Sequence, residues 1–146
     1  MADNYILLER VELNASAASI SFNNIPQSGY TDLKVVISAR TDYAGQVTDN
    51  ILFTLNGSTS SFSSKLLYGT GSAAGSTTSD RNAAVVTGAA ATANTYGNAE
   101  IYFPNYTSSN FKSYSQDSVN ETNATGAFTY LLSGLWSSTA AITTIA

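Results

Sequence analysis

The sequence predicts an all-β fold, an antiparallel β-sandwich of jelly-roll-like form with about eight to ten short strands, and three observations carry that prediction. Apolar residues recur with period two along the chain, and no stretch of helix length shows the 3.6-residue period. Polarity comes from Ser, Thr, Asn and Gly: only 11% of residues are charged while 43% are hydrophobic. Turn-forming residues interrupt the alternation every 8–15 residues or so, the spacing of short strands joined by tight connections. With 146 residues the chain is expected to form one domain, 1–146, large enough to bury a core without covalent staples.

Taken in order, Tyr5–Leu13 reads as a strand with Tyr5, Leu7, Val11 and Leu13 on one face, interrupted by Glu9, and Arg10 and Glu12 on the other. Ala18–Phe22 is a second short strand with Ile20 and Phe22 inward. A turn at Pro26 and Gly29 leads into a clean alternation with Leu33, Val35, Ile37 and Ala39 on one side and Lys34, Val36 and Ser38 on the other. Ile51, Phe53 and Leu55 run into Asn56-Gly57, a favoured hairpin turn pair, and the returning strand is expected at Phe62–Tyr68. The small, polar stretch Gly69–Asn82 reads as a flexible loop, and Gly88–Thr95 as another, with a weak strand at Ala83–Thr87 between them. In "NAEIYFP", Ile101 and Phe103 face one way and Glu100 and Tyr102 the other, until Pro104 ends the strand. "FKSYSQDSV" alternates again, "NETNATG" turns, "AFTYLLSGLW" is the longest apolar strand, and "AAITTIA" begins another that stops at Ala146.

Composition excludes several functions. The net charge is −4, and the six basic residues are scattered singly, so the clustered cations that displace counterions from nucleic acid are missing. No apolar run has membrane-spanning length, and the N-terminus lacks the basic start and apolar core of a signal peptide. Without Cys there are no disulfides, no thiolate nucleophile and few zinc sites; without His the usual general base and the commonest metal ligand are gone. No catalytic residue, cofactor or metal is expected.

The local motifs read the same way. Gly69, Gly71 and Gly75 are spaced G-x-G-x-x-x-G with no helix behind them, so they do not make a phosphate loop, and no His exists to activate Ser72. Glu100 and Asp117 could approach each other across neighbouring strands, as the carboxylate pair of a glycosidase must; surface acids are the plainer reading. Asp42, Asp49 and Asn50 are oxygen donors in spacing that matches no calcium loop and suits turns. Glu9, on an apolar face, is the acid to check for a buried partner. Five N-x-S/T sequons fall at Asn14, Asn56, Asn105, Asn120 and Asn123, a number that a chain rich in Asn, Ser and Thr reaches by chance. Aromatic residues reach 11%; Tyr130 and Trp136 are expected in the core, and Tyr43, Tyr96 and Tyr106 are the candidate interaction surface, because exposed Tyr among Ser and Asn is common at recognition surfaces.

Four stretches, "YILLERVELNASAASISFNNIPQSGYTDLKVVISAR", "LLYGTGSAAGS", "ANTYGNAEIYFPNYTSSNFKSYSQDSV" and "GLWSSTAAITTI", together resemble small β-sandwich virion structural proteins of tailed phages from aquatic bacteria. The most specific parts are F-x-N-I-P-x-x-x-Y-x-D-L at Phe22–Leu33 and I-Y-x-P-N-Y at Ile101–Tyr106. The resemblance implies a virion protein, either capsid decoration (cement) or a tail appendage, assembled in the host cytoplasm. Its partners would be other virion proteins, the major capsid protein or tail proteins, and a homo-oligomer such as a trimer or ring. In that group the final strand runs further, which implies an incomplete last strand here. The absence of Cys suits assembly in a reducing cytoplasm, and Lys34 and Arg10 would guard sheet edges. The alternative from the residues themselves is an adhesin module that holds host-surface glycan with loop Tyr and Asn.

Overall fold

The computed structural model describes residues 5–79, 81–124 and 126–146. Alternation becomes strand at Leu33–Ala39 (β1), Thr48–Leu52 (β2), Phe62–Gly69 (β3), Ala74–Ser79 (β4), Asn82–Thr87 (β5), Gly97–Phe103 (β6), Lys112–Asn120 (β7) and Phe128–Trp136 (β8), and the described residues contain no helix. Six strands form one sheet in the order β1-β6-β7-β8-β3-β4, and β2 pairs with β5 in a second; every ladder is antiparallel. The fold is therefore all-β and sandwich-like. Its layers are unequal, six strands against two, where a jelly roll pairs two four-stranded sheets.

The smaller layer is widened by chain ends and turns. Ile145 bridges both Phe22 and Leu55, so residues 142–146 lie between 22–25 and 54–56. Backbone bonds from Phe22 N to Ile145 O (2.8 Å) and from Thr54 N to Ala146 O (2.7 Å) hold them there. Ile142 and Ile145 are buried, so "AAITTIA" closes the core.

The core lies between the layers. Phe53, just past β2, meets the rings of Phe62, Phe103 and Tyr114 edge-on, with centroids 5.5, 5.9 and 5.3 Å away. Trp136 stacks on Phe62 and is buried, and Tyr130 packs half-buried against the same cluster. At the other end β5 contributes Ala83, Ala84, Val85 and Val86, all buried, so the stretch that looked weakest becomes the centre of its layer. It sits very close to the large sheet because Gly97 and Ala99 are small: a Cβ on Gly97 would stand 2.6 Å from the Val86 Cα.

Several expectations are corrected. Tyr5–Leu13 is not a strand; it has no regular secondary structure, pairs with no strand and is exposed, and Glu9 is exposed with it, so it is not a buried acid. Ala18–Phe22 is reduced to one bridge at Phe22, with Ile20 exposed. Asn56-Gly57 does turn, with φ of 52° and 73° and a Ser58 N to Leu55 O bond of 2.9 Å. The strands beside it do not pair with each other, however: β2 joins β5, and β3 joins β8 and β4. The Gly69–Asn82 "loop" holds β4, because the alternating register of β3 offers six residues a backbone ladder whatever their side chains. Gly88–Thr95 remains a loop.

β7 inverts the usual rule. Lys112, Tyr114, Gln116, Ser118 and Asn120 are buried while Val119 faces solvent. The polar side chains there have work to do: the Val85 N–H donates to Ser118 Oγ (3.1 Å), and Asn120 Nδ2 donates to Val86 O (3.2 Å), so β7 satisfies the open edge of β5. Lys112 Nζ donates to Ser108 O (2.7 Å) and Asn110 O (2.6 Å), closing the loop before its own strand; burial pushes its pKa down.

Candidate interaction surface

Two of the three singled-out tyrosines are brought to one end of the molecule. β1 and β6 end together at Ala39↔Gly97, so Arg40 leaves one strand beside the point where Tyr96 enters the other. The loops that follow and precede them, 41–47 and 88–96, are tied by backbone bonds from Gly88 N to Val47 O (3.0 Å), Ala89 N to Tyr43 O (3.3 Å) and Ala90 N to Gln46 O (2.9 Å). Gly88 permits this approach, since a Cβ there would meet the Gln46 carbonyl oxygen at 2.3 Å.

Arg40 fixes the second loop from beneath. Its guanidinium donates to the carbonyls of Ala89 (3.1 Å), Ala91 (2.9 Å), Thr92 (2.8 Å) and Thr95 (3.2 Å). A planar cation with five donors suits four converging carbonyls, and the cation is held here without a carboxylate. Above this staple Tyr43 and Tyr96 stand 57% and 59% exposed. The result is an ordered loop pair that presents two aromatic faces, a form able to stack on a sugar ring or pack on a protein.

Tyr106, the third candidate, is a correction: it is fully buried. Its hydroxyl donates to Pro26 O, its carbonyl accepts from Ile142 N (2.9 Å), and burial pushes the phenol's pKa up. Close by, Asp32 accepts from the Tyr102 hydroxyl (2.7 Å) and the Asn105 N–H (2.9 Å). These bonds, the Tyr102 hydroxyl first, hold the Asp32 carboxyl below its ordinary value, and the same hydroxyl bond raises Tyr102. The Phe22–Leu33 and Ile101–Tyr106 motifs therefore lock onto each other, and their Tyr, Asp and Asn are scaffold.

The carboxylate pair singled out from the sequence lies on an open surface, not in a cleft. Glu100 and Asp117 do stand directly opposite each other on β6 and β7, but on the open face of the large sheet. Lys34 pairs with Glu100 at 2.6 Å and lies over the Tyr5 ring, 4.9 Å from its centroid, and the Glu100 hydrogen bond is the main cause of its raised pKa. Asp49 and Asn50, expected in a turn, lie instead in β2, where Asp49 accepts from the Asn50 N–H (2.8 Å). Among the described residues no group of three or more acids could hold a metal ion.

Sequence reasoning passed over Arg40 and, although it placed Asn56 in a turn, the anchoring role of the Asn56 amide. Asn56 Oδ1 accepts from Thr143 N, Thr144 N and the Thr143 hydroxyl at 2.8, 3.1 and 3.0 Å, and Nδ2 donates to Ala141 O at 2.7 Å. Both act over long sequence separations, which local patterns do not register. Comparison with protein-family models, curated proteins and solved structures finds no match to this chain.

Proposed function

We propose that the chain is a non-enzymatic structural protein of a phage virion, a capsid decoration (cement) protein that works through protein–protein contacts. The observation that carries this reading is the apolar surface the isolated chain leaves in water. Tyr5, Ile6, Leu7, Leu8, Val11 and Leu13 lie open along the N-terminal segment, and Val36, Leu67 and Leu131 stand out from the open face of the large sheet. Apolar surface gathered in this way marks contact with other proteins. The resemblance of the four quoted stretches supports a virion as the assembly, and a short chain without a repetitive shaft or coiled coil favours decoration over a fibre. The Glu100–Asp117 pair, lying on an open sheet face, gives no support to a hydrolase.

A second reading, a tail-appendage or adhesin module for host-surface carbohydrate, draws on Tyr43 and Tyr96 on their stapled loops. The two are separated by mixing purified chain with particles of the encoding phage and with a glycan array, with and without Ca²⁺. Saturable co-sedimentation with particles and a blank array support decoration. Glycan binding lost in Tyr43→Ala and Tyr96→Ala moves the chain to the adhesin class.

A further inference from the structure

We infer that residues 5–13 form a donated strand, which pairs along the free edge of β4 in a second copy of this chain. The inference stands apart from the virion reading, because a chain could exchange this arm in any setting.

The donor is unusual in three ways. Among the described residues, 5–21 form no backbone hydrogen bond, although apolar residues alternate along 5–13 as in a strand. Its large side chains are open, with Tyr5 65%, Ile6 58% and Leu7 77% exposed. Tyr5–Leu8 is apolar at four successive positions, so it offers apolar groups on both faces of a strand. Such a segment gains a backbone ladder by adding to a sheet edge.

The acceptor follows by elimination among the strand edges. β1 carries a charge at Lys34, paired with Glu100, and its end is tied by Thr41 N to Thr87 O (2.9 Å); the arm's own Tyr5 lies over Lys34 and leaves it on donation. β2 has a register break between Ile51 and Leu52 and an acid at Asp49. The edge of β5 is satisfied by Ser118 and Asn120. β4 alone has none of these guards: it reads Ala-Gly-Ser-Thr-Thr-Ser, without charge or Pro, and pairs only with β3. Ser76, Thr77 and Thr78 are exposed in succession, so among the described residues nothing covers this edge. Beside it, the row Ser76–Leu67–Leu131 across β4, β3 and β8 supplies apolar footing.

The area is sufficient. Six half-exposed side chains bury roughly 300–400 Å² of apolar surface on the arm, so reciprocal exchange with matching acceptor surface approaches the standard interface of about 1,600 Å².

The native chain has no Cys, which gives a clean test. A chain carrying Leu7→Cys is mixed with chains carrying Ser76→Cys, Thr77→Cys or Thr78→Cys, and each mixture is oxidised. A disulfide-linked dimer of the two different chains, in at least one mixture and above the level each chain forms alone, is expected. Light scattering of the unsubstituted chain at about 100 μM should show an oligomer, and Leu7→Asp with Leu8→Asp should reduce it to monomer with an unchanged circular dichroism spectrum. A monomeric unsubstituted chain, an oligomer indifferent to the arm substitutions, or cross-linking to Val36→Cys on β1 in place of β4 would overturn the inference.

Discussion

Asn56 performs two tasks that can be pulled apart. It takes positive φ in a tight turn, and its amide fastens residues 141–144. Asn56→Gly keeps the turn and removes the amide, so it should cost about 1–2 kcal/mol in urea unfolding, as a partly exposed set of bonds does. Gln116 is the opposite case: it is buried between Ile101 and Leu132, and neither end of its amide meets a partner among the described residues. Gln116→Leu should raise stability by about 1 kcal/mol, since an unsatisfied buried amide is replaced by apolar volume; a loss would mean the amide is engaged. Asp32 gives the pH dependence. Its folded pKa lies below the ordinary 3.8, so its contribution is present above that value and is lost as pH falls through the lower, folded one. Tyr102→Phe removes the main cause, and the stability gap between the two proteins should therefore narrow as pH is lowered from about 5 to 2. A gap constant over that range would show that the bond does not act on the carboxylate.

Single strands show how packing and pattern interact. β8 passes Gly134 beneath the Tyr114 ring, where a Cβ would stand 2.1 Å from the nearest ring atom. Gly134→Ala must push Tyr114 away from Phe53 and Phe103, and a loss of about 1–3 kcal/mol in thermal or urea unfolding is expected. Alternation in β1 and β6 was fully legible, because Leu33, Val35, Ile37, Ile101 and Phe103 bury one apolar face each against the second layer. The same alternation misled at Tyr5–Leu13, where period two reports a capacity for pairing and not the presence of a partner. In β7 the apolar signal was weak, because Ser118 and Asn120 are kept inside by the needs of β5, a strand distant in sequence. β4 was invisible for a related reason: its ladder comes from β3, and its own side chains contribute little. The tyrosines divide likewise. Tyr43 and Tyr96 sit in loops that composition could find, whereas Tyr106 follows Pro104 in a turn that looks like surface and is drawn inward by Pro26.

At the scale of the molecule, the fold sets one well-filled core beside surfaces with nothing of their own to cover them. The large sheet keeps an open face that carries Val36 and the neighbouring pair Leu67 and Leu131, the stapled loops raise two tyrosines at one end, and the N-terminal arm lies unpaired. These are the properties of a component, and they support the proposed role as a decoration protein whose contacts are made by surface and not by a cleft. Cryo-electron microscopy of the intact phage particle proposed to carry this chain tests that claim most directly. The account predicts density for this fold on the capsid lattice, at three-fold or pentamer positions, with the arm or the open sheet face against a neighbour. Particles whose lattice and tail are fully explained without this chain would contradict it.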